Sequence, residues 1–313
     1  MTRAQSPGAI HVIGNVNVDF ILGPVTPWPR PGTETIYPQS ELRIGGAAGN
    51  SALTLQALGA RFRILCNVGD DIFGRWLRES FMPDSKRWPI SRTPTTASAC
   101  LAHPNGERTF LTSHGHLAVT SARDVLKLLP KRAKKGEIAL LCGGFLSPKL
   151  LQDYDRLIET LAARGFEIAL DTGWPSGGWS KLQRARVTRW IGNCDHILLN
   201  EIESAALSRE ADIIDALGWM VLHAKAGAAV VMKRGPMGAI GWQSGTRADV
   251  AAPRVKVVDT TGAGDVFNAA YLFARSQGFG LKKSVTAGVR TASRVIATSP
   301  RRYGPKDPGH RSR

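Results

Sequence analysis

The chain has 313 residues, of which 43% are hydrophobic and 21% are charged. This composition is ordinary for a globular protein and provides enough apolar side chains for a large α/β domain with an appendage. The four cysteines are scattered without a CxxC pair, so the sequence indicates neither a zinc ribbon nor a disulfide framework. No apolar run could span a bilayer and the first eight residues lack a signal core, so we expect a cytoplasmic protein without a membrane partner.

The net charge of +16 is the unusual part of the composition. Such a charge attracts nucleic acids by counterion release, so a nucleic-acid-binding protein is one interpretation. The basic residues are spread along the chain, however, and no RNA-binding or helix-turn-helix signature accompanies them. We therefore favour a surface that attracts phosphorylated small molecules. Residues 301–313, rich in Pro, Gly and Arg, predict a loose basic tail.

Strand and helix patterns alternate along the chain. The segment Ile10–Leu22 predicts one strand, with Asn17 and Asp19 on its polar face. The run 47–58 predicts a helix that Gly59 ends. Further strands are predicted at 63–68, 138–141, 167–170, 196–199 and 228–232, and further helices at 150–164 and 213–226. The alternation predicts a mostly parallel sheet with helices on both faces.

Two stretches interrupt this alternation. Residues 97–101 and 108–112 flank Asn105-Gly106, a dipeptide that favours the turn of a β-hairpin. Residues 33–43 are also predicted to be extended. Together these segments could form a small sheet beside the main domain.

The segment from Arg254 to Asn268 carries the strongest functional pattern. Its valines predict a short strand, its glycines a turn, and the residues from Asp265 onward a helix. A Gly-rich turn that opens a helix binds anions, because free N–H groups and the positive end of the helix dipole converge there. We expect the carboxylate of Asp265 to stay ionised at neutral pH and to accept a proton, although it could equally be a simple helix cap.

Three other segments place polar groups where a ligand could bind. Asn17 and Asp19 point the same way from one strand, as polyol recognition requires, although a solvated strand face would look the same. The pair Gly45-Gly46 predicts a tight strand-to-helix turn. Asn200 and Glu203 predict a capping box at the start of a helix.

Two of these segments resemble a known family. Asp259-Thr-Thr-Gly-Ala-Gly-Asp265-Val-Phe-Asn268 resembles the C-terminal signature of the ribokinase/PfkB carbohydrate kinases. Gly45-Gly46-Ala-Ala-Gly49-Asn50 resembles their N-terminal signature. The two motifs occur in the family's order and cover nearly the whole chain. The resemblance implies a ribokinase-like α/β/α core over residues 1–16, 44–92 and 114–300. It also implies a β lid over 17–43 and 93–113 that covers the sugar and often forms a dimer contact.

The resemblance also implies roles for single residues. Asp265 would be the catalytic base, and Gly262, Ala263 and Gly264 the anion hole. The implied sugar-binding residues are Asn17, Asp19, Gly45, Gly46 and Asn50. Those implied for the nucleotide phosphates are Asn200, Glu203, Lys233, Gly235 and Gly238, although the last three could also form an exposed turn. The implied cofactors are ATP and Mg²⁺, the latter held through phosphates and water rather than by direct ligands, and K⁺ near Asp259 and Thr261.

The segment after Asp171 departs from the family's pattern. Many fructose-type members carry Asp-Pro-Asn-x-Arg there, whereas this chain has Asp171-Thr-Gly-Trp174 and lacks the arginine. This absence argues against a phosphorylated or keto-acid substrate. We predict an ATP-dependent kinase for a hydroxymethyl group of a ribose- or fructose-like sugar. A nucleoside kinase of the same fold is the nearest alternative, and a non-catalytic nucleic-acid-binding regulator is a more distant one.

Overall fold

The structure is a computed structural model that describes residues 7–104 and 108–304. Its strands are β1 (Ile10–Gly14), β2 (Asn17–Gly23), β3 (Gln39–Gly45), β4 (Phe62–Leu65), β5 (Val68–Gly69), β6 (Ile90–Ser91), β7 (Ala97–Ala102), β8 (Arg108–Thr112), β9 (Ile138–Cys142), β10 (Glu167–Asp171), β11 (His196–Asn200), β12 (Ala229–Lys233), β13 (Ala239–Gln243) and β14 (Thr246–Val250). Its α-helices are α1 (Ala47–Ala57), α2 (Ile72–Ser80), α3 (Ala122–Leu128), α4 (Pro148–Gln152), α5 (Tyr154–Ala163), α6 (Lys181–Ile191), α7 (Glu201–Ser208), α8 (Ile213–His223), α9 (Ala263–Ser276) and α10 (Leu281–Val295).

The larger sheet has the strand order β14-β13-β12-β11-β10-β9-β1-β4. Neighbours from β12 to β4 are parallel, and β13 and β14 add an antiparallel edge. Alternate residues of each strand pack into two hydrophobic clusters, Leu140 into one and Leu141 into the other. Helices α1, α9 and α10 cover the first face, and α5, α6 and α8 the second. The predicted three-layer α/β/α core with a mostly parallel sheet is therefore confirmed.

The smaller sheet has the order β3-β2-β7-β8. Its pairs β2–β3 and β7–β8 are antiparallel, whereas β2 and β7 are parallel. The predicted separate sheet is confirmed, while the Asn105-Gly106 turn lies outside the described residues. Its action as a lid and the exact lid boundaries stay predictions.

Four predicted elements were wrong. The segment 63–68 is not one strand, because β4 ends at Leu65 and β5 pairs with β6 in a separate two-stranded sheet. The segment Ile10–Leu22 forms two strands, because β1 pairs with β4 and β9 in the large sheet and β2 joins the small one. The valines of 254–258 lie in no strand; Val258 instead donates its backbone N–H to the carbonyl of Ile296 at 2.8 Å. The helix predicted over 150–164 is divided at Asp153 into α4 and α5.

The end of the chain also differs from its prediction. Residues 301–313 were expected to form a loose tail, yet the side chain of Arg301 is only 4% exposed. Tyr303 donates a hydrogen bond from its hydroxyl to Asn50 Oδ1 at 3.0 Å. The first residues of the predicted tail therefore pack against the core, through contacts that composition could not reveal.

The turn between β3 and α1 depends on Gly46. Its φ of 83° and ψ of 153° belong to a region that is essentially restricted to glycine. A Cβ atom there would lie 2.3 Å from the carbonyl oxygen of Asn15 and 2.5 Å from Asn17 Oδ1. The turn therefore brings the start of α1 against Asn15, which lies between β1 and β2, and against Asn17, the first residue of β2.

We expect Gly46→Ala to lower the free energy of unfolding by about 3 kcal/mol or more, because backbone strain and a steric clash add together. Gly59→Ala is the matched control: Gly59 also has a positive φ, 68°, but nothing lies within 4 Å of its Cβ position. That variant should lose only about 1–2 kcal/mol of backbone strain. Urea unfolding followed by circular dichroism compares them, and equal losses would contradict the steric argument.

Candidate active site

The carboxyl ends of neighbouring strands bring several predicted residues to one edge of the large sheet. β10 ends at Asp171, β11 at Asn200 and β12 at Lys233. Asn200 and Lys233 are direct partners in the β11–β12 ladder. Ligands of open α/β sheets bind at this edge, where helices also begin. The edge is therefore the candidate active site.

A buried ion pair lies at the centre of this edge. Lys233 Nζ is 2.7 Å from Asp171 Oδ2 and 3.2 Å from Asn268 Oδ1, and Asn268 also donates its side-chain N–H to Asp171. Burial alone would lower the pKa of Lys233, but Asp171 and Glu203 outweigh it and the pKa is raised. The lysine is therefore a permanent cation. Sequence patterns assigned no role to Asp171 or Asn268, although Asp171 begins the segment that departs from the family's pattern and Asn268 ends the C-terminal signature.

Lys233 lies beside the predicted anion hole. A Cβ atom added to Gly264 would be 3.4 Å from Lys233 Nζ. Gly262 precedes α9 with a φ of 68°, and Ala263 and Gly264 occupy the first turn of the helix. Positive charge from the lysine and from the helix N-terminus thus meets at Gly262–Gly264, which suits a phosphoryl group.

Asp265 lies in the first turn of α9 behind these residues. Its carboxylate Oδ2 accepts a hydrogen bond from Asn50 Nδ2 at 3.1 Å. Burial, followed by the charge of Asp171, raises the pKa of Asp265 to about 8, against the opposing effects of Lys233 and Asn50. Burial and the neighbouring carboxylate of Asp171 thus oppose the helix dipole that was expected to keep Asp265 ionised at neutral pH.

Asn50 uses both ends of its side-chain amide within the protein. The amide N–H group donates to Asp265 and the oxygen accepts from the Tyr303 hydroxyl. A Cβ atom on Gly262 would lie 2.7 Å from Asn50 Nδ2, so the amide also touches the anion-hole turn. Asn50 therefore holds Asp265 in place, while its contact with a sugar stays a prediction.

The predicted sugar-binding strand carries a continuous polar row. Asn15 Nδ2 donates to Asn17 Oδ1 at 3.2 Å, and Asn17 Nδ2 donates to Asp19 Oδ1 at 2.7 Å and to Ser98 Oγ at 3.3 Å. Burial raises the pKa of Asp19 to about 6, although Arg43 counteracts it. The row is buried, which rules out the solvated strand face as its explanation.

Gly45 makes room for a side chain of the protein itself. A Cβ atom at Gly45 would lie 2.1 Å from the Asp19 carboxyl carbon and from its Oδ2. The sequence had suggested that Gly45 and Gly46 leave backbone open to a sugar. Asp19 and Asn17 lie against Gly45 and Gly46, and contact of these glycines with a sugar stays a prediction.

Asn200 and Glu203 form the predicted capping box at the start of α7. Asn200 Oδ1 accepts from the backbone N–H of Glu203 at 2.8 Å, and Glu203 Oε2 accepts from that of Asn200 at 3.0 Å. Burial and the charge of Asp171 raise the pKa of Glu203 to about 7. The capping box thus places an acidic group close to the buried ion pair.

The turn after β12 contains the remaining predicted phosphate-binding residues. Gly235 has a φ of 47° and open space around its Cβ position. Gly238 has a φ of 88°, and a Cβ there would lie 1.9 Å from the carbonyl oxygen of Val250. Packing against the end of β14 therefore explains Gly238 without a ligand, whereas Gly235 leaves space for one.

Asp259, at the start of the C-terminal motif, binds arginines from three parts of the chain. Arg43 of β3 lies 2.7 Å from its Oδ2, Arg108 of β8 lies 2.9 Å from its Oδ1, and Arg301 lies 2.9 Å from its Oδ2. Burial alone would raise the pKa of Asp259, but the guanidinium groups of Arg301 and Arg43 lower it well below its usual range. No sequence pattern indicated this cluster, because its arginines lie far apart in the chain.

Comparison with known proteins identifies the family. Residues 9–304 match the family described as pfkB family carbohydrate kinase. The chain belongs to this family. The prediction of a phosphotransferase that acts on an alcohol group is thereby confirmed. In the parts of the chain that the structure describes, no helix is long and apolar enough to cross a membrane.

Curated relatives include kinases for two kinds of substrate. A nucleoside kinase of Methanocaldococcus jannaschii is 22% identical, and the match covers 92% of this chain and 90% of that protein. The ribokinase of Bacillus subtilis is 26% identical, with 94% of each chain covered. Both matches thus cover nearly the full length of each protein. The nucleoside kinase and the ribokinase also have similar sequence identity to this chain.

A solved structure confirms the fold. The ribokinase of Arabidopsis thaliana, complexed with ribose and ATP, superimposes with a TM-score of 0.72 over 94% of each chain at 18% identity. The predicted ribokinase-like fold is therefore confirmed.

The pKa of Asp265, raised to about 8, predicts a pH dependence. If Asp265 must be unprotonated to accept a proton, kcat/KM should fall about tenfold for each pH unit below 8. The value of kcat/KM falls toward lower pH because a carboxyl with a raised pKa is protonated there. Initial rates measured between about pH 6 and 9 test this, and a flat profile up to pH 8 would contradict it.

Proposed function

We propose that the protein is an ATP-dependent kinase that phosphorylates a hydroxymethyl group of a ribose- or fructose-like sugar, with Asp265 as general base. The observation that supports this most is the position of Asp265 in the first turn of α9, next to the glycine turn that faces Lys233. A proton acceptor and an anion site therefore lie side by side, as phosphoryl transfer to an alcohol requires.

The sheet edge suits ATP and Mg²⁺. Lys233 provides a buried cation, the turn 262–264 has N–H groups at a helix start, and Gly235 leaves space beside its backbone. Asn200 and Glu203 would act on Mg²⁺ through water, since their own hydrogen bonds close the capping box. When bound, ATP supplies the phosphoryl group and Mg²⁺ offsets its negative charge.

The roles of the chain's own residues follow from this arrangement. Asp265, held by Asn50, accepts the hydroxyl proton as the oxygen attacks. The N–H groups of Gly262–Gly264 and the charge of Lys233 stabilise the transferring group. A pKa of about 8 for Asp265 makes it a stronger base than an ordinary carboxylate once it is unprotonated.

The polar row of β2 supports a polyol substrate. Asn17 and Asp19 place an amide and a carboxylate side by side, the donor and acceptor groups that sugar hydroxyls can pair with. Nothing in the segment after Asp171 supplies the arginine that many fructose-type members carry. We therefore favour a neutral sugar. A nucleoside is the second candidate, because a nucleoside kinase matches this chain over almost its full length.

A substrate panel with ADP detection tests the activity. Ribose, fructose, adenosine, inosine and cytidine would be compared at equal concentration with ATP and Mg²⁺. Sugar-dependent ADP release is the expected result, and preferential turnover of a nucleoside would support the second candidate. Salt-dependent DNA binding without any ATP turnover would instead favour the non-catalytic regulator.

Replacing Asp265 tests the role of the base. We expect Asp265→Asn to keep the fold and ATP binding but to lower kcat about 10²- to 10⁴-fold on the best substrate, because an amide cannot accept the proton. Melting temperature and binding of a non-hydrolysable ATP analogue are the controls. A variant that folds and keeps near-wild-type kcat would contradict the role of Asp265 as general base.

The small sheet also supports a homodimer formed through the lid. Leu42, Phe20, Ala99 and Leu111 are neighbours across its strands and form an apolar row. Phe20, Leu42 and Leu111 are 43%, 47% and 59% exposed. Such a row on a strand face is suited to contact with the same row of a second copy.

We expect Leu111→Lys to convert the dimer to a monomer, because it places a charge in this apolar contact. Leu222→Lys is the matched control, since Leu222 on α8 is 80% exposed and lies outside the lid. Light scattering after size-exclusion chromatography gives the mass of each variant. A monomeric wild type, or an unchanged mass for Leu111→Lys, would contradict the proposed dimer.

A further inference from the structure

The oxygens expected to hold K⁺ already bind a cation of the protein. Arg301 Nη2 donates to the backbone carbonyl of Asp259 at 2.9 Å and lies 2.9 Å from its carboxylate Oδ2. Arg301 Nη1 donates to the carbonyl of Thr261. Carbonyl and carboxylate oxygens of this kind are what an alkali cation needs in place of its hydration shell. The guanidinium therefore uses the oxygens of Asp259 and Thr261 that K⁺ would require.

The local charge also disfavours a second cation. Asp259 is the carboxylate that Arg43, Arg108 and Arg301 share, and Arg43 also lies 3.6 Å from Glu41, so among the described residues three guanidinium groups face two carboxylates. The side chain of Arg301 is 4% exposed, and an arginine keeps its proton at any physiological pH. An added K⁺ would meet repulsion as well as occupied oxygens. The residues present do not fit the expected ion.

The guanidinium also fixes the turn before the anion hole. Thr261 N donates to Asp259 Oδ1 at 2.9 Å, so the carboxylate already shapes the backbone that leads into Gly262. Arg301 holds the carbonyl groups of Asp259 and Thr261 on the other side of this turn. The direction of the N–H groups in 262–264 depends on this backbone. Arg301 is thus placed to position the anion hole without touching the substrate.

We propose that Arg301 is a built-in replacement for the monovalent cation, so that this kinase needs no K⁺ and uses Arg301 as a positioning residue for its anion hole. The planar fork of the guanidinium binds several oxygens at once, with a geometry that the protein fixes. This inference rests on the proposed function for its kinetic consequences. The binding of K⁺ itself can be tested without any turnover.

The first test compares salts on the wild-type protein at constant ionic strength. KCl and tetramethylammonium chloride would be exchanged while kcat and the melting temperature are measured. An effector that is coupled to a site typically changes the affinity of that site about 5- to 150-fold. Because we expect no coupling to K⁺, kcat should differ less than about twofold between the two salts. The melting temperature should show no K⁺-specific rise. Activation by K⁺ of about fivefold or more, or a K⁺-specific rise in melting temperature, would overturn the proposal.

The second test replaces the arginine. We expect Arg301→Gln to lower kcat at least about tenfold, and Arg301→Lys, which keeps the charge, to recover part of that loss. Arg302→Gln is the matched control, because Arg302 is exposed and, among the described residues, its one hydrogen bond runs from its backbone N–H to Thr298 Oγ1. Equal kcat for Arg301→Gln and Arg302→Gln, or equal impairment of the Gln and Lys variants, would contradict a cationic role.

The two tests separate the two proposals. A wild-type protein without turnover in any salt would remove the proposed kinase activity on these substrates. The melting experiment would still decide whether K⁺ binds. Conversely, a K⁺-activated sugar kinase would keep the proposed function and overturn the role of Arg301.

Discussion

The arrangement of the site depends on one buried ion pair, between Asp171 and Lys233. It joins the carboxyl ends of β10 and β12, and Asn268 ties both side chains to α9. Because Lys233 is paired, it stays charged in a buried position and can face the glycine turn at the start of α9. Because Asp171 is an anion, it raises the pKa of Asp265, in addition to the larger effect of burial. One pair thus contributes to both the proposed anion site and the proposed base.

A second constraint comes from the lid side. Asp259 collects arginines from β3, from β8 and from the C-terminal segment, so a single carboxylate connects the small sheet, the core and the chain end. Asn50 of α1 connects the base in the same way, because it contacts both Asp265 and Tyr303. The arginine contacts of Asp259 and the Asn50 contact of Asp265 therefore lie at the two ends of the turn 259–265. This explains why the family's two signatures, far apart in the sequence, form one site.

The sequence predicted the fold well where patterns were local and periodic. Buried strands such as 138–142 are apolar throughout, and the glycines before Asp265 mark a turn that opens a helix. Prediction failed where tertiary partners decide the outcome. The apolar alternation continues through Val16, so the change of sheet after β1 left no local signal. The raised pKa of Asp265 depends on burial and on Asp171, and the place of Arg301 depends on Asp259; neither contact is visible in a linear pattern.

We propose that the charges at this sheet edge tune Asp265 as a base. The most direct measurement is the pH dependence of kcat/KM for Asp171→Asn beside the wild type. Removing the anion stabilises the ionised form of Asp265, because repulsion is lost and the charge of Lys233 is no longer neutralised. We therefore expect the midpoint of the acid limb to move below the wild-type value, which reflects a pKa of about 8. A midpoint that stays in place or moves to higher pH would contradict it.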